Sequence, residues 1–283
     1  MAMSVNTNTG AMAALQALNS TSKGLATVQS RINSGLNVSS TKDDSAAFTI
    51  AEKLRGDLGG LKAVSSSLSR AKSVTDVAVA GAEQISDVVN QMKTLAKQAS
   101  DEGVDQASRD AYNKDFTALR DQITTIVNSS EFNGTNLLKA SGGTVSALQS
   151  LGSVSSGSYT ADTLSVSNQD MGLATTGTGK LLTTSTITSA SDAKTMVGTL
   201  DALGKDINTK LSDLGSASRK IDAQSAFASK LSDAIEGGIG NLVDADLAKE
   251  SAKLQALQVK QQLGVQALSI ANQAPQTVTS LFR

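Results

Sequence analysis

Cysteine, histidine and tryptophan are absent from this chain of 283 residues, and proline occurs once. Without thiol and imidazole groups the chain cannot form disulfides, cysteine or histidine zinc sites, or the nucleophiles and bases of many enzymes. A single proline permits long uninterrupted helices, because an interior proline costs a helix about 3 kcal/mol. Aromatic residues make up only 2% of the chain, which argues against a bulky globular core. We therefore expect a helical, non-enzymatic protein that needs no cofactor and no metal.

Targeting signals are also missing. Residues 1–10 lack the basic and apolar regions of a secretory signal peptide, and no run approaches the roughly 18 apolar residues of a membrane span. A net charge of −1 gives no electrostatic reason to expect nucleic acid or a membrane as partner. The sequence predicts a chain that stays in the cytosol or leaves by a route without a cleaved signal.

Both ends of the chain carry apolar residues at heptad spacing, which places them on one stripe of a helix. The stripes consist of Leu15, Leu18, Leu25, Val28 and Ile32 near the start, and Leu247, Leu254, Leu257 and Leu268 near the finish. Residues 1–42 and 251–283 contain bases but no acids, so we expect no ion pairs between the ends. The stripes are predicted to pair the termini and to form an assembly interface with other copies.

Between the ends, apolar and small residues alternate at steps of three and four from Leu61 to Ala99, which predicts a long closely packed helix. A second helix is predicted at about 105–128, an Asn-Gly turn at 132–136 and another long helix from about 193. Thr41 to Asp44 has the spacing of a capping box. The glycines at 237–240 are expected to end the last bundle helix, and the terminal helix is expected to stop ahead of Pro275.

Residues 141–192 differ in character. Serine and threonine fill 22 of these 52 positions, and the alternation at 159–167 predicts short strands. We expect a solvated surface insert that the fold does not need and that offers hydroxyls for O-glycosylation.

The fold class is therefore mainly α: a coiled-coil-like bundle of long helices from both chain ends, with a small β-rich central insert. The predicted segments are N-terminal coiled coil 1–42, first bundle part 43–140, insert 141–192, second bundle part 193–240 and C-terminal coiled coil 241–283.

Several ordered motifs resemble the bacterial flagellins. They are Val5-Asn6-Thr7-Asn8, Ser34-Gly35-Leu36, Lys42-Asp43-Asp44-Ser45-Ala46-Ala47, Phe132-Asn133-Gly134 with Leu137-Leu138, Asp244-Ala245-Asp246-Leu247-Ala248, Gln261-Gln262-Leu263-Gly264, Ser269-Ile270-Ala271-Asn272-Gln273-Ala274-Pro275-Gln276 and Leu281-Phe282-Arg283. Their order and separation make the resemblance specific. It covers about 1–140 and 193–283.

The resemblance implies a subunit that polymerises into the extracellular flagellar filament and is exported unfolded through the flagellum's own channel. It implies terminal helices that are disordered in the monomer and form an inner tube on assembly, within an outer tube of bundle helices. The implied partners are other copies, sibling flagellins, hook-associated and cap proteins, and an export chaperone at the C-terminal segment.

Three rival classes of protein share some of these features. A hook–filament junction protein shares the terminal helices and is the alternative function, although the ending 272–283 favours a flagellin. A flagellin with an inserted metalloprotease needs histidines that this chain lacks, and a chemoreceptor-like coiled coil needs a membrane span.

The resemblance also implies a receptor segment on the first bundle helix. In flagellins recognised by the animal Toll-like receptor, an arginine-rich run there ends in Glu-Leu-Ala-Val-Gln. The matching residues here include Gln91, Lys93, Thr94 and Leu95. Gln91 stands where an arginine is expected and Thr94 where a glutamate is expected, so recognition is expected to be weakened.

Overall fold

A computed structural model describes residues 7–155, 158–177 and 180–280, leaving aside the side chains of 154, 155 and 274–280. In chain order the elements are α1 (Thr9–Ser34), α2 (Ser45–Ala99), α3 (Gln106–Ser129), β1 (Val145–Leu148), β2 (Ser153–Ser155), β3 (Ser158–Thr160), β4 (Thr163–Val166), α4 (Ala190–Val243) and α5 (Leu247–Ser280). The prediction of a mainly helical fold with a small strand-bearing insert is confirmed.

The chain divides into two compact units. The first unit consists of Met1–Leu58 and Asp233–Arg283, and the second is Gly59–Ser232. Each contains its own buried cluster of apolar side chains. Because α2 and α4 are long, each contributes residues to both units.

The core of the second unit lies along α2, α3 and α4. All twelve positions at the predicted steps from Leu61 to Ala99 are buried, including the single hydroxyl among them, Thr75, which donates to the Ala71 carbonyl over 2.8 Å. Phe116 and Ile123 of α3 are also fully buried in this cluster. The abundance of alanine on α2 lets neighbouring helices approach closely, which explains how so few aromatics suffice.

The insert is more deeply integrated than its composition suggests. Its strands form two antiparallel pairs, with Val145 opposite Val166 in β1–β4 and Ser153 opposite Thr160 in β2–β3, so the strands predicted at 159–167 are present. Five of its apolar side chains are nevertheless buried in the core of the second unit: Ala147, Val166, Met171, Leu181 and Ile187. The expectation of a solvated insert without a role in the core was wrong. The many serines and threonines make the average composition of the insert polar, although its few apolar residues are spaced so that they are buried.

The buried side chain of Arg109 holds the connection between α2 and α3. The buried Arg109 donates through Nε to the Ala99 carbonyl at 3.1 Å and through Nη2 to the carbonyls of Asp101 and Val104 at 3.0 and 3.1 Å. It thereby satisfies the Ala99 carbonyl at the end of α2 and binds two carbonyls of the connection to α3. The predicted Asn-Gly turn is confirmed, since Asn133 and Gly134 have φ values of 50° and 81°.

Several helix boundaries differ from expectation. The helix α4 runs through the glycines at 237–240 to Val243, because Ile239 and Val243 pack with Val38 and Ala51 in the core of the first unit. Tertiary burial there outweighs the roughly 1 kcal/mol helix penalty of each glycine. The prediction that the terminal helix stops ahead of Pro275 was also wrong, since α5 continues to Ser280. Proline lacks one backbone N–H donor, and the helix continues past it without that hydrogen bond.

The starts of α1 and α2 also differ from expectation. Within the predicted coiled-coil segment 1–42, α1 begins at Thr9. Residues 1–6, which include residues 5 and 6 of the flagellin-like motifs, lie outside the described part of the chain, as do residues 281–283. At the start of α2 the expected capping box is not formed. Asp44 caps the helix instead, because its Oδ1 accepts from the N–H groups of Ala46 and Ala47 at 2.9 and 3.0 Å.

Candidate functional site: the paired terminal helices

The helices α1 and α5 of the first unit pack against each other in antiparallel directions. Near one end Asn8 donates through Nδ2 to the Ala271 carbonyl at 2.7 Å, and further along Leu18 lies beside Gly264. The sequence numbers of facing residues therefore sum to about 280 along the whole pair. The least exposed positions recur at steps of three and four on both helices: Leu18, Thr21, Leu25, Val28 and Ile32 on α1, and Leu254, Leu257, Gln261, Gly264 and Leu268 on α5. We call these two rows the seam.

Local sequence explains where the two helices begin and end. Asn8 caps α1 by accepting from the Ala11 N–H at 3.0 Å, and Gly35 ends it with a φ of 71°, a conformation that glycine adopts without strain. Asp246 caps α5, since its Oδ1 accepts from the N–H groups of Ala248 and Lys249 at 3.0 and 3.1 Å.

Backbone hydrogen bonds tie the chain after α1 to the chain before α5. The N–H groups of Asn37 and Val38 donate to the Val243 carbonyl at 2.7 and 3.2 Å, and the Ala245 N–H donates to the Gly35 carbonyl at 2.9 Å. These contacts bring the C-terminal end of α1 beside the N-terminal end of α5.

An ion pair joins the same two helix ends. Arg31 Nη1 lies 3.5 Å from Glu250 Oε1, and the Glu250 side chain is only 9% exposed. Lys253 Nζ is 3.7 Å from the same oxygen at a more exposed position. The expectation that the ends share no ion pairs was wrong. Glu250 lies one residue before the acid-free stretch 251–283, but it belongs to the first turn of the terminal helix α5, so that helix does carry an acid that can reach α1.

The loop between α1 and α2 is organised around Asp43. Its Oδ2 accepts from the hydroxyl and the backbone N–H of both Ser39 and Ser40 at 3.0 to 3.1 Å. These donors hold the pKa of Asp43 below its ordinary value of 3.8, with the Ser39 hydroxyl as the largest cause.

Seven of the nine residues predicted as an assembly interface lie on the seam and are buried or half-buried where α1 and α5 meet: Leu18, Leu25, Val28, Ile32, Leu254, Leu257 and Leu268. The other two, Leu15 and Leu247, are 48% and 50% exposed. The heptad stripes thus describe the pairing of the termini within one chain.

Comparison with known proteins identifies this arrangement. The bacterial flagellin N-terminal helical region matches residues 5–142, and the bacterial flagellin C-terminal helical region matches residues 197–282. Flagellin FljK of Caulobacter vibrioides is 44% identical over 280 residues, which cover 99% of this chain and 98% of that protein. This chain belongs to the bacterial flagellin family.

Further relatives extend across species. A flagellin of Brucella melitensis is 35% identical to this flagellin over 283 residues, covering 99% of each chain. A crystal structure of Bacillus cereus flagellin covers 56% of this chain and 86% of its own, with 24% sequence identity and a TM-score of 0.46.

Membership in the bacterial flagellin family establishes the general function of this chain. This flagellin is a structural subunit that polymerises into the extracellular bacterial flagellar filament used for motility. The relatives named above are flagellins and not hook–filament junction proteins. In the described part of the chain no helix is long and apolar enough to cross a membrane, and no group of three or more acidic, histidine or cysteine side chains could hold a metal ion.

A second apolar row on α5 was not predicted from the sequence. Val259, Leu263 and Ile270 are 55%, 58% and 70% exposed. At 100° per residue they lie on the side of α5 opposite to the seam, and we call them the outer row. On α1, Met12 is 68% exposed and likewise points away from the seam. The signal was present in the sequence, since α5 carries apolar residues at two heptad phases.

The predicted receptor segment lies on α2 in the second unit. Gln91 and Thr94 are exposed, and the Thr94 hydroxyl donates to the Asn90 carbonyl at 3.1 Å. Lys93 forms an ion pair with Asp201 of α4 that lowers the pKa of that carboxyl, and Leu95 is half-buried against the core. The exposed residues border a shallow hollow of about 610 Å³ between α2 and α3.

Proposed function

We propose that the outer row of α5, together with Met12 of α1, is the surface through which copies of this flagellin contact each other in the filament. The observation that supports it is the exposure of Val259, Leu263 and Ile270 while the seam is covered within the chain. A helix that is apolar on two opposite sides is stable in water only when both sides are buried.

Charge supports an apolar contact of this kind. From residue 251 onward α5 carries lysines and no acids, so identical helices in neighbouring copies gain nothing from direct ion pairing. The attraction between copies must then come from the area that the outer row buries. Burying one leucine contributes about 1.5–3 kcal/mol.

Leu263 gives the decisive test. The variant Leu263→Asp should raise the concentration needed for seeded polymerisation by roughly 10- to 150-fold or more, as the loss of 1.5–3 kcal/mol per contact requires. Gln262→Asp is the matched control, because it places the same charge on the adjacent exposed residue, about 100° around the helix. Sedimentation of polymer and circular dichroism of the soluble chain are the measurements. Normal assembly of Leu263→Asp would refute the outer row as a contact.

The division of the chain suggests how the filament is layered. We propose that the predicted coiled-coil segments 1–42 and 241–283, which lie within the first unit, form the inner tube, and that the bundle parts 43–140 and 193–240 form the outer tube. The insert 141–192 is assigned to the outside of the filament. The separate cores of the two units support this assignment, since each can pack with neighbours independently.

The terminal helices are also the surface at which we expect other proteins to bind. We propose that an export chaperone covers the C-terminal segment before assembly, that the chain leaves unfolded through the flagellar channel, and that hook-associated and cap proteins and sibling flagellins meet it at the terminal helices. An exposed outer row on an unpolymerised chain is an aggregation hazard, which gives a chaperone a physical reason to bind there. We assign no catalytic function, because the sequence lacks histidine and cysteine.

Recognition by the animal Toll-like receptor is proposed to be weak. Gln91 cannot reproduce the five-donor fork of an arginine, and losing a buried interfacial charge contact costs about 2–5 kcal/mol. Affinity would fall by roughly 30-fold to several thousandfold. Titration of the monomer against the receptor ectodomain measures it. The pair Gln91→Arg and Thr94→Glu should raise affinity, whereas Asn90→Arg, which places an arginine one position before that of Gln91, should not. Nanomolar binding of the unmodified chain would contradict the proposal.

A further inference from the structure

The seam between α1 and α5 does not by itself define how far one helix is shifted along the other. Its rows repeat every seven residues on both helices, so sliding α5 by one heptad again places a seam residue opposite a seam residue. A shift of seven residues would bring Gly264 from Leu18 to Leu25. It would also place the polar seam residues Thr21 and Gln261 opposite apolar ones, but both are uncharged, and the Thr21 hydroxyl already donates to the Ala17 carbonyl of its own helix at 2.9 Å. A stronger preference for one register must come from another contact.

Charge is unevenly distributed along this seam. Among the described residues of α1 and α5, the charged residues that are buried or half-buried are Arg31 and Glu250, and their side chains face each other at 3.5 Å. Within the described chain, Arg31 Nε and Glu250 Oε2 are buried without a hydrogen-bond partner. The pair is therefore a buried charge contact with no alternative protein partner for those two atoms.

We infer that the Arg31–Glu250 pair determines the register in which α1 and α5 associate. If the register shifted by seven residues, Glu250 would lie opposite Gly24 or Val38, and Arg31 would lie opposite Val243 or Leu257. Each shift separates the buried Glu250 carboxylate from Arg31 and leaves it only the more exposed Lys253 of its own helix, which costs more than the apolar exchange that accompanies it. A single polar contact inside an apolar repeat sets the register of coiled coils in the same way.

The position of the pair also suits its sign. Arg31 lies in the last turn of α1 and Glu250 in the first turn of α5. A cation at a helix C-terminus and an anion at a helix N-terminus are each favoured by the helix dipole. The inference concerns pairing within one chain, and it does not depend on which surfaces meet neighbouring copies.

Engineered disulfides can read the register directly, because the chain has no cysteine of its own. A Cβ on Gly264 would lie 4.0 Å from the Leu18 Cβ, within the range of a disulfide. The pair Leu18→Cys with Gly264→Cys therefore reports the observed register. Leu25→Cys with Gly264→Cys reports a shift of one heptad, since about 10 Å of α1 separates Leu25 from Leu18. Leu18→Cys with Leu257→Cys reports the opposite shift.

The full-length chain carrying each cysteine pair would be oxidised before and after seeded polymerisation. With Glu250→Gln or Arg31→Met, we expect the ratio of shifted to observed cross-link to rise about tenfold or more. Lys249→Met is the matched control, because it removes one positive charge beside Glu250 from an exposed side chain, and it should leave the ratio unchanged. The exchange Arg31→Glu with Glu250→Arg should restore the observed cross-link as the major product.

An apolar double variant separates register from mere stability. Arg31→Met with Glu250→Leu should keep the helices paired, as circular dichroism would show, and yet give cross-links in more than one register. The inference is overturned if Glu250→Gln retains only the Leu18–Gly264 cross-link, because the backbone bonds at 35–38 and 243–245 would then suffice. Loss of all three cross-links in the single variants would also overturn it, since the pair would then hold the helices together without selecting a register. Sedimentation, measured separately, reports polymerisation and tests the outer row instead.

Discussion

A substitution at Ile187 tests how much the packing of the insert against the core of the second unit contributes to stability. The Ile187 side chain is 0% exposed within the core, although it lies in a stretch without helix or strand. Its backbone N–H donates to Asn113 Oδ1 of α3 at 2.8 Å. The variant Ile187→Ala would remove most of the side chain from a close-packed site whose backbone Asn113 holds in place.

The expected loss follows from that constraint. An isoleucine-to-alanine change in a core costs about 2–5 kcal/mol, and the cost is highest where the surroundings cannot collapse into the cavity. We therefore expect the upper half, about 3.5–5 kcal/mol, for Ile187→Ala and about 0.5–1.5 kcal/mol for Ile187→Val. Urea unfolding of the full chain, followed by circular dichroism, gives both values. Tyr159→Ala, at a side chain 55% exposed in the same insert, is the control and should change stability by less than about 0.5 kcal/mol.

A double-mutant cycle tests the reasoning behind the number. In the Asn113→Ala background the segment around residue 187 is free to move, so Ile187→Ala should cost less than in the parent chain by about 0.5–3 kcal/mol. A cost below about 1 kcal/mol for Ile187→Ala would show that the insert is dispensable for the core after all. Strict additivity of the two substitutions would show that Asn113 does not constrain the site.

Two further predictions concern polar groups. Arg109→Met should destabilise the second unit by about 1–4 kcal/mol, because the buried Ala99 carbonyl loses its hydrogen-bond donor and the C-terminal end of α2 loses its cation. Lys114→Met on the same helix is the control. Equal midpoints of urea unfolding for the two variants would contradict this prediction. The pKa of Asp43, followed by NMR titration, should lie below 3.8 and rise toward that value in Ser39→Ala with Ser40→Ala. Because the folded pKa is the lower one, the contribution of Asp43 to stability is present above pH 3.8 and is lost as the pH falls through its folded pKa.

Much of the architecture could be predicted from the sequence because it depends on local periodicity. The steps of three and four from Leu61 to Ala99 placed every one of twelve positions in the core, and the stripes of the termini marked most of the α1–α5 seam. Helical repeats of this kind survive in any tertiary context, since they follow from 3.6 residues per turn. The Asn-Gly turn at Asn133 is local in the same sense, because it needs only two residues with positive φ.

Features that depend on distant residues were decided by the tertiary structure alone. The glycines at 237–240 remain helical only because Ile239 and Val243 find a core to bury in, and Ile187 joins the core although its segment has no periodicity. Arg31 and Glu250 lie 219 positions apart in the chain, and no local pattern announces that they meet. Sequence periodicity determines which side of a helix is apolar. Only packing determines which partner covers that side and in which register, because both are differences in energy between whole arrangements of the chain.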